Sequence, residues 1–127
     1  MDFEELFNTT VEFKDCKLEN YSEGEITMTV LLNDTNLNPY GRAHGGFLYT
    51  ICDTLAGVTA YSLGSYALTQ HADISYLKEG KKEDVLTFHA QCIHNGKSTK
   101  VIEIAVTNQK EALLLKASFT MFVLQNI

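Results

Sequence analysis

Gly45-Gly46-Phe47-Leu48-Tyr49-Thr50-Ile51-Cys52-Asp53-Thr54-Leu55-Ala56-Gly57-Val58-Thr59-Ala60-Tyr61-Ser62-Leu63 is the most apolar stretch of the chain. It is nearly long enough to span a bilayer, but Asp53, several hydroxyls and three glycines sit inside it, and a carboxylate at the bilayer centre is costly. It reads instead as one long helix buried in a soluble core. A helix that is apolar on nearly every side has to be covered on nearly every side. The rest of the chain must supply that cover.

Outward from the helix, the pattern has period two. Downstream, Ala67 to Leu77, Val85 to His94, Lys100 to Thr107 and Ala112 to Leu124 each read as strands. In the last of them Leu113, Leu115, Ala117, Phe119, Met121 and Val123 fall on one face, with Lys116, Ser118 and Thr120 on the other. Glu79 to Asp84, Asn95 to Thr99 and Asn108 to Glu111 are short enough for tight strand returns. Upstream, Val11 to Leu18 and Glu25 to Leu32 read as a hairpin around Glu19 to Gly24, and residues 2–8 as a short amphipathic helix with Phe3, Leu6 and Phe7 on one side. Asn33 to Arg42, rich in Asn, Asp, Pro and Gly, is a loop leading into the long helix. The expected fold is therefore α+β: one long central helix wrapped by a curved, mostly antiparallel sheet of about six strands, as a single domain over 1–127.

The 127 residues carry 10 Lys and Arg against 16 Asp and Glu, a formal charge of −6. With no basic run, this balance argues against nucleic acid as a partner. The three cysteines, Cys16, Cys52 and Cys92, are far apart and form no CxxC pair, so they read as free thiols in a reducing cytoplasm. The acidic start Met1-Asp2-Phe3-Glu4-Glu5 does not read as an export signal, and no membrane partner is expected. His71, His89 and His94 lack the spacing of a metal site, and no metal is expected. Cys52 reads as packing rather than a nucleophile. GxSxG and phosphate-loop motifs are absent.

The chemistry gathers at the start of the helix, in Asn38-Pro39-Tyr40-Gly41-Arg42-Ala43-His44-Gly45-Gly46, and at Asp53. Two adjacent glycines at a helix start leave N–H groups without helical partners and without a Cβ to shield them, an oxyanion site in outline, although alone they could serve only a tight turn. Asp53 lies among apolar neighbours, where a carboxylate costs several kcal/mol to bury without a partner or a task. The task would be general base or nucleophile. Seven residues separate Gly46 from Asp53, about 10 Å along a helix axis, too far for both to act on one carbonyl. If they share a substrate, a second copy must bring its Asp53 to the first copy's helix start.

Asn38, Gly41, His44, Gly45, Gly46 and Asp53 fill a pattern of Asn-x-x-Gly-x-x-His-Gly-Gly with an acid nine positions after the histidine. In this the chain resembles the hot-dog-fold thioesterases, in the PaaI-like branch of the 4-hydroxybenzoyl-CoA thioesterase superfamily, and the element order matches over essentially its whole length. The resemblance implies an acyl-CoA thioesterase that needs no cofactor beyond the coenzyme A of its substrate, working as a homodimer and, beyond it, a homotetramer. It implies that Gly45 N–H, with Asn38 and Gly46, polarises the thioester carbonyl, and that His44 orders the loop or hydrogen-bonds near the carbonyl. Asp53 of the partner chain would activate water or attack directly, with Thr69 placing the water. Arg42, Lys78, Lys81, Lys82 and Lys100, with the Asn95-Gly96-Lys97-Ser98 turn, would meet the CoA phosphates. Where relatives often carry a basic residue and a proline after the strand, this chain reads Lys78-Glu79-Gly80-Lys81-Lys82. The size of the acyl pocket would depend on how Tyr49, Leu55 and Tyr61 meet the partner. The alternatives are an acyl-CoA-binding sensor without turnover and a hot-dog dehydratase or hydratase.

Overall fold

The computed structural model describes residues 2–127. In chain order the elements are α1 (Phe3–Thr9), a 3-10 turn (Val11–Phe13), β1 (Cys16–Ser22), β2 (Glu25–Leu31), a second 3-10 turn (Asp34–Asn36) and α2 (Gly45–Ser62). Four strands follow: β3 (Ser65–Tyr76), β4 (Val85–Asn95), β5 (Thr99–Thr107) and β6 (Leu113–Asn126). All six strands form one sheet in the order β1-β2-β4-β5-β6-β3, with every neighbouring pair antiparallel. The sheet curves around α2, which packs against β3, β4, β5 and β6. This is the hot-dog arrangement expected from one apolar helix and six amphipathic strands.

The helix is covered because the strands offer alternate residues to it. Ile26, Met28 and Val30 of β2, Leu86, Phe88 and Ala90 of β4, and Ile102, Ile104 and Val106 of β5 are all buried, joining Leu48, Ile51, Cys52, Leu55 and Ala56 of α2 in one core. Between positions 51 and 64 no residue is fully exposed. The buried Thr59 hydroxyl donates to the Leu55 carbonyl at 2.7 Å and so satisfies itself within the helix. Among the described residues no helix is long and apolar enough to cross a membrane.

Three expectations need correction. Val11 to Phe13 form a turn rather than the start of a strand: Phe13 N–H bonds the Thr10 carbonyl at 3.0 Å, and the Phe13 ring stacks on Phe7 with centroids 4.9 Å apart. The pull of Phe13 toward α1 outweighs the local alternation, and β1 begins at Cys16. The hairpin turn then shrinks to Glu23 and Gly24, with Gly24 at φ +79°, since Ser22 already pairs with Glu25. On β6 the expected face breaks at its first residue, because Leu113 is exposed and Leu114 is buried. A bulge opposite Val106 and Thr107 inserts Leu114 as an extra residue and turns it inward. From Leu115 to Met121 the alternation runs as expected.

Leu55 sits at the helix–sheet junction with no exposure. Leu55→Ala is expected to lower the unfolding free energy by about 3 kcal/mol, measured by urea denaturation.

Candidate active site

The loop before α2 is built around Asn38. Its Oδ1 accepts the backbone N–H groups of Tyr40 (2.9 Å) and Arg42 (3.1 Å), while the Gly41 N–H bonds its carbonyl at 3.0 Å. Gly41, at φ +78°, lets the chain turn back here. His44 is the N-cap of α2, and its Nδ1 accepts the Gly46 N–H at 3.0 Å. The acceptor role assigns the proton of the neutral ring to Nε2. One helix-start donor is thereby used, and the Gly45 N–H has no partner among the described residues. The two glycines are thus not equivalent. A Cβ at Gly46 would lie 2.9 Å from His44 Cε1, whereas one at Gly45 would meet only the Tyr76 ring, at 3.5 Å. Gly46 is required by the cap; Gly45 keeps the helix start open.

Gly45 faces a cleft of about 550 Å³ whose walls include Asn38, Arg42, Leu48, Tyr76 and Lys78. The Tyr76 hydroxyl donates to the Gly45 carbonyl at 2.8 Å. Its phenol is pushed above the usual range, chiefly by burial, with Cys52 and Tyr49 adding to it. At neutral pH it is a proton-bearing donor. Nothing in the alternating strand pattern marked Tyr76 as different from its neighbours.

Asp53 is half-buried on the flank of α2, and Thr69 Oγ1 donates to its Oδ1 at 2.6 Å. Met121 Sδ lies 3.6 Å from the same hydroxyl. The side chain of Thr69 reaches the helix because of a local irregularity in β3. Thr69 pairs with Met121 but His71 pairs with Thr120, so Gln70 is an extra residue. Before it, Ala67 and Thr69 point toward α2; after it, Ala72, Ile74 and Tyr76 do. An apolar groove of about 520 Å³ lies farther along the helix, between Thr54, Gly57, Val58 and Tyr61 of α2 and Ala67 and Leu68 of β3. Tyr61 is on the groove, whereas Leu55 is wholly inside the core and Tyr49 leans edge-on against Phe119. Eight residues part Gly45 from Asp53, about 12 Å along the helix, so a single chain keeps the open N–H and the carboxylate apart.

The basic residues are divided. Arg42 Nε lies 3.0 Å from Glu79 and Lys82 Nζ 3.0 Å from Asp34, so both carry a carboxylate partner. Lys78 and Lys81 are exposed and form no ion pair among the described residues. Lys100 is buried, and its ammonium bonds Asn95 Oδ1 and the Gly96 carbonyl. In the same turn Lys97 and Ser98 are exposed. The turn lies at the C-terminal end of α2: Gly24 N–H bonds Ser62 Oγ, and Cys92 N–H bonds the Gly24 carbonyl. The structure therefore brings Asn38, Arg42, Lys78 and Gly45 to one cleft and leaves Asn95 to Lys100 at the opposite end of the same chain. Cys52, fully buried, has its thiol pushed up to about 12 by burial and by the neighbouring Asp53.

Residues 40–115 match the model of the thioesterase superfamily. The chain belongs to that superfamily. It is a PaaI-like, hot-dog member: it is 34% identical to the acyl-coenzyme A thioesterase PaaI of Escherichia coli K12 over 89 residues, 70% of this chain and 64% of that relative. The alignment thus spans just under two thirds of the relative's length. The solved E. coli PaaI protein superposes with a TM-score of 0.91 at 25% identity, covering 97% of this chain and 91% of that one. A Streptococcus mutans UA159 protein bound to acetyl CoA matches with TM-score 0.87 and 39% identity, over 90% of this chain and 92% of that one. A hypothetical thioesterase protein of Streptococcus pneumoniae TIGR4, solved with coenzyme A, matches with TM-score 0.87 and 40% identity over the same shares. That pneumococcal protein has also been solved with an aspartate, and separately a threonine sixteen positions later, changed to alanine.

The contrast between the two glycines is testable by thermal unfolding. Gly46→Ala is expected to be less stable than Gly45→Ala by about 1 kcal/mol, since only the former disturbs the cap. For Cys52, iodoacetamide at pH 8 is expected to leave the thiol unlabelled in the folded protein, as mass spectrometry of the digested protein would show.

Proposed function

We propose that this chain hydrolyses the thioester of an acyl-coenzyme A to the free carboxylic acid and coenzyme A. The observation that carries the reading is the hydrogen bond from Thr69 to the half-buried Asp53. It ties one carboxylate oxygen and leaves the other for a water, with the lone pairs of the Thr69 hydroxyl available to the same water. The sixteen-residue spacing of this pair equals that of the two residues varied in the pneumococcal relative. The name of the E. coli relative and the CoA ligands of the two streptococcal proteins support the substrate class.

In this mechanism the thioester oxygen accepts the Gly45 N–H at the positive end of α2, with the Asn38 loop and Arg42 bordering the cleft. Asp53 takes a proton from water as the hydroxide adds to the carbonyl carbon, or attacks that carbon itself and is released by water in a second step. The tetrahedral oxyanion is held at Gly45 until the C–S bond breaks, and the thiolate leaves and takes up the proton. Because one chain separates the two groups, the proposed site is shared: Gly45 from one protomer and Asp53 from its partner. β3 supports this, since it ends the sheet with one unpaired edge and exposes Tyr66, Leu68 and Tyr76. Pairing two β3 edges would set two α2 helices in opposite directions, and the homotetramer implied by the resemblance would join two such dimers. Lys78 and Lys81, with Lys97 arriving from the partner's far turn, are the cations proposed for the phosphates. The three free cysteines fit a reducing cytoplasm.

Thiol release from a panel of short, long and aromatic acyl-CoAs tests the reading. Asp53→Ala is expected to lower kcat by 10²-fold or more in a still-folded dimer, and Thr69→Ala by about tenfold. Tight acyl-CoA binding without thiol release would mean a sensor instead. Water addition to an unsaturated acyl group would mean a hydratase.

A further inference from the structure

The Gly45–Gly46 peptide group is gripped at both ends. Its carbonyl, on Gly45, accepts the Tyr76 hydroxyl at 2.8 Å, and its N–H, on Gly46, donates to His44 Nδ1 at 3.0 Å. The peptide is planar, so two bonds on opposite edges stop it from rotating about the line joining its Cα atoms. The peptide before it is fixed as well, because the His44 carbonyl accepts the Leu48 N–H at 3.1 Å. Between these two planes lies Gly45, the residue type with the widest backbone freedom. If the second plane turned, its carbonyl would swing toward the cleft and set a negative dipole where the thioester oxygen has to sit. The Tyr76 ring also stands at the Gly45 Cα, 3.5 Å from where a Cβ would be, and Gly45 stays only partly buried on the wall of the cleft.

We propose that Tyr76 is a positioning residue: its hydroxyl, delivered from the last position of β3, works with the His44 ring to hold the Gly45–Gly46 plane so that its carbonyl stays turned away from the cleft beside the Gly45 N–H. This rests on the thioesterase reading above. β3 then serves both halves of the chemistry, holding Asp53 through Thr69 and the carbonyl next to the oxyanion donor through Tyr76. The two side chains are seven positions apart, an odd number that would set them on opposite faces of a regular strand. The extra residue at Gln70 returns both to the helix side.

The test is Tyr76→Phe, which keeps the ring and removes only the hydroxyl. A bond that keeps a carbonyl dipole away from the developing oxyanion acts mainly in the transition state, so kcat for acyl-CoA hydrolysis is expected to fall about tenfold with KM changed less than about twofold. Combined with His44→Ala, the loss is expected to be less than the product of the two single losses, because both residues hold one peptide plane. In ¹⁵N-glycine-labelled protein, the Gly45 and Gly46 amide resonances are expected to shift in Tyr76→Phe while those of Gly57 and Gly96 stay in place. Unchanged kcat, unmoved Gly45 and Gly46 resonances, fully multiplicative losses, or a variant that fails to fold would overturn the positioning role while leaving an active wild type, and the thioesterase reading, intact. A wild type inactive on every acyl-CoA would remove that reading and this proposal together.

Discussion

An eighteen-residue helix with almost no polar side can persist in water only if something surrounds it, and that requirement organises the whole chain. A flat sheet would cover one face. Six strands of alternating pattern, curled around α2, cover nearly all of it, and the helix in turn fills the concave side of the sheet. Polar chemistry can then occur only where the wrapping stops. One place is the N-terminal end of α2, where Gly45 emerges from the loop. The other is the flank beside β3, the strand that closes the sheet, where Asp53 meets Thr69.

This explains why so much of the architecture was legible in the residues. The helix announced itself through the lack of a polar face between Phe47 and Leu63, and the strands through their alternation, both direct consequences of burial. The misplaced features share a cause: contacts distant in sequence overrode the local pattern. Phe13 left the strand alternation to stack on Phe7, and Leu114 turned inward at a bulge that only its partner strand defines. A bulge has no signature in the strand that contains it when the extra residue is an ordinary one, such as Gln70.

The candidate site was legible to the extent that its residues are chemically out of place. Paired glycines before an apolar run and a carboxylate within it are unusual on energetic grounds alone. Lys100 looked like a surface cation because lysine usually is one, yet its ammonium is buried against Asn95 and the Gly96 carbonyl. Tyr76 was invisible for the opposite reason: a tyrosine in a strand is commonplace, and its value comes from the one carbonyl it reaches. Gly46 shows the same limit, since both glycines look equally open until the His44 ring claims one donor.

The bulge at Gln70 deserves weight in any account of how the chain does its work, because it reconciles two demands on β3. The strand has to complete the sheet, which asks for regular pairing with β6 from end to end. It also has to present Thr69 and Tyr76 to the same side of the molecule across an odd interval, which regular pairing forbids. One unpaired residue meets both demands, and pairing continues on either side of it: Thr69 opposite Met121, then His71 opposite Thr120. Removing that residue would change no functional group and would still rotate either the tether of Asp53 or the hold on Gly45 to the wrong face. In the proposed mechanism a single strand thus supports the carboxylate of one shared site and the oxyanion end of the other, with its phase set by Gln70.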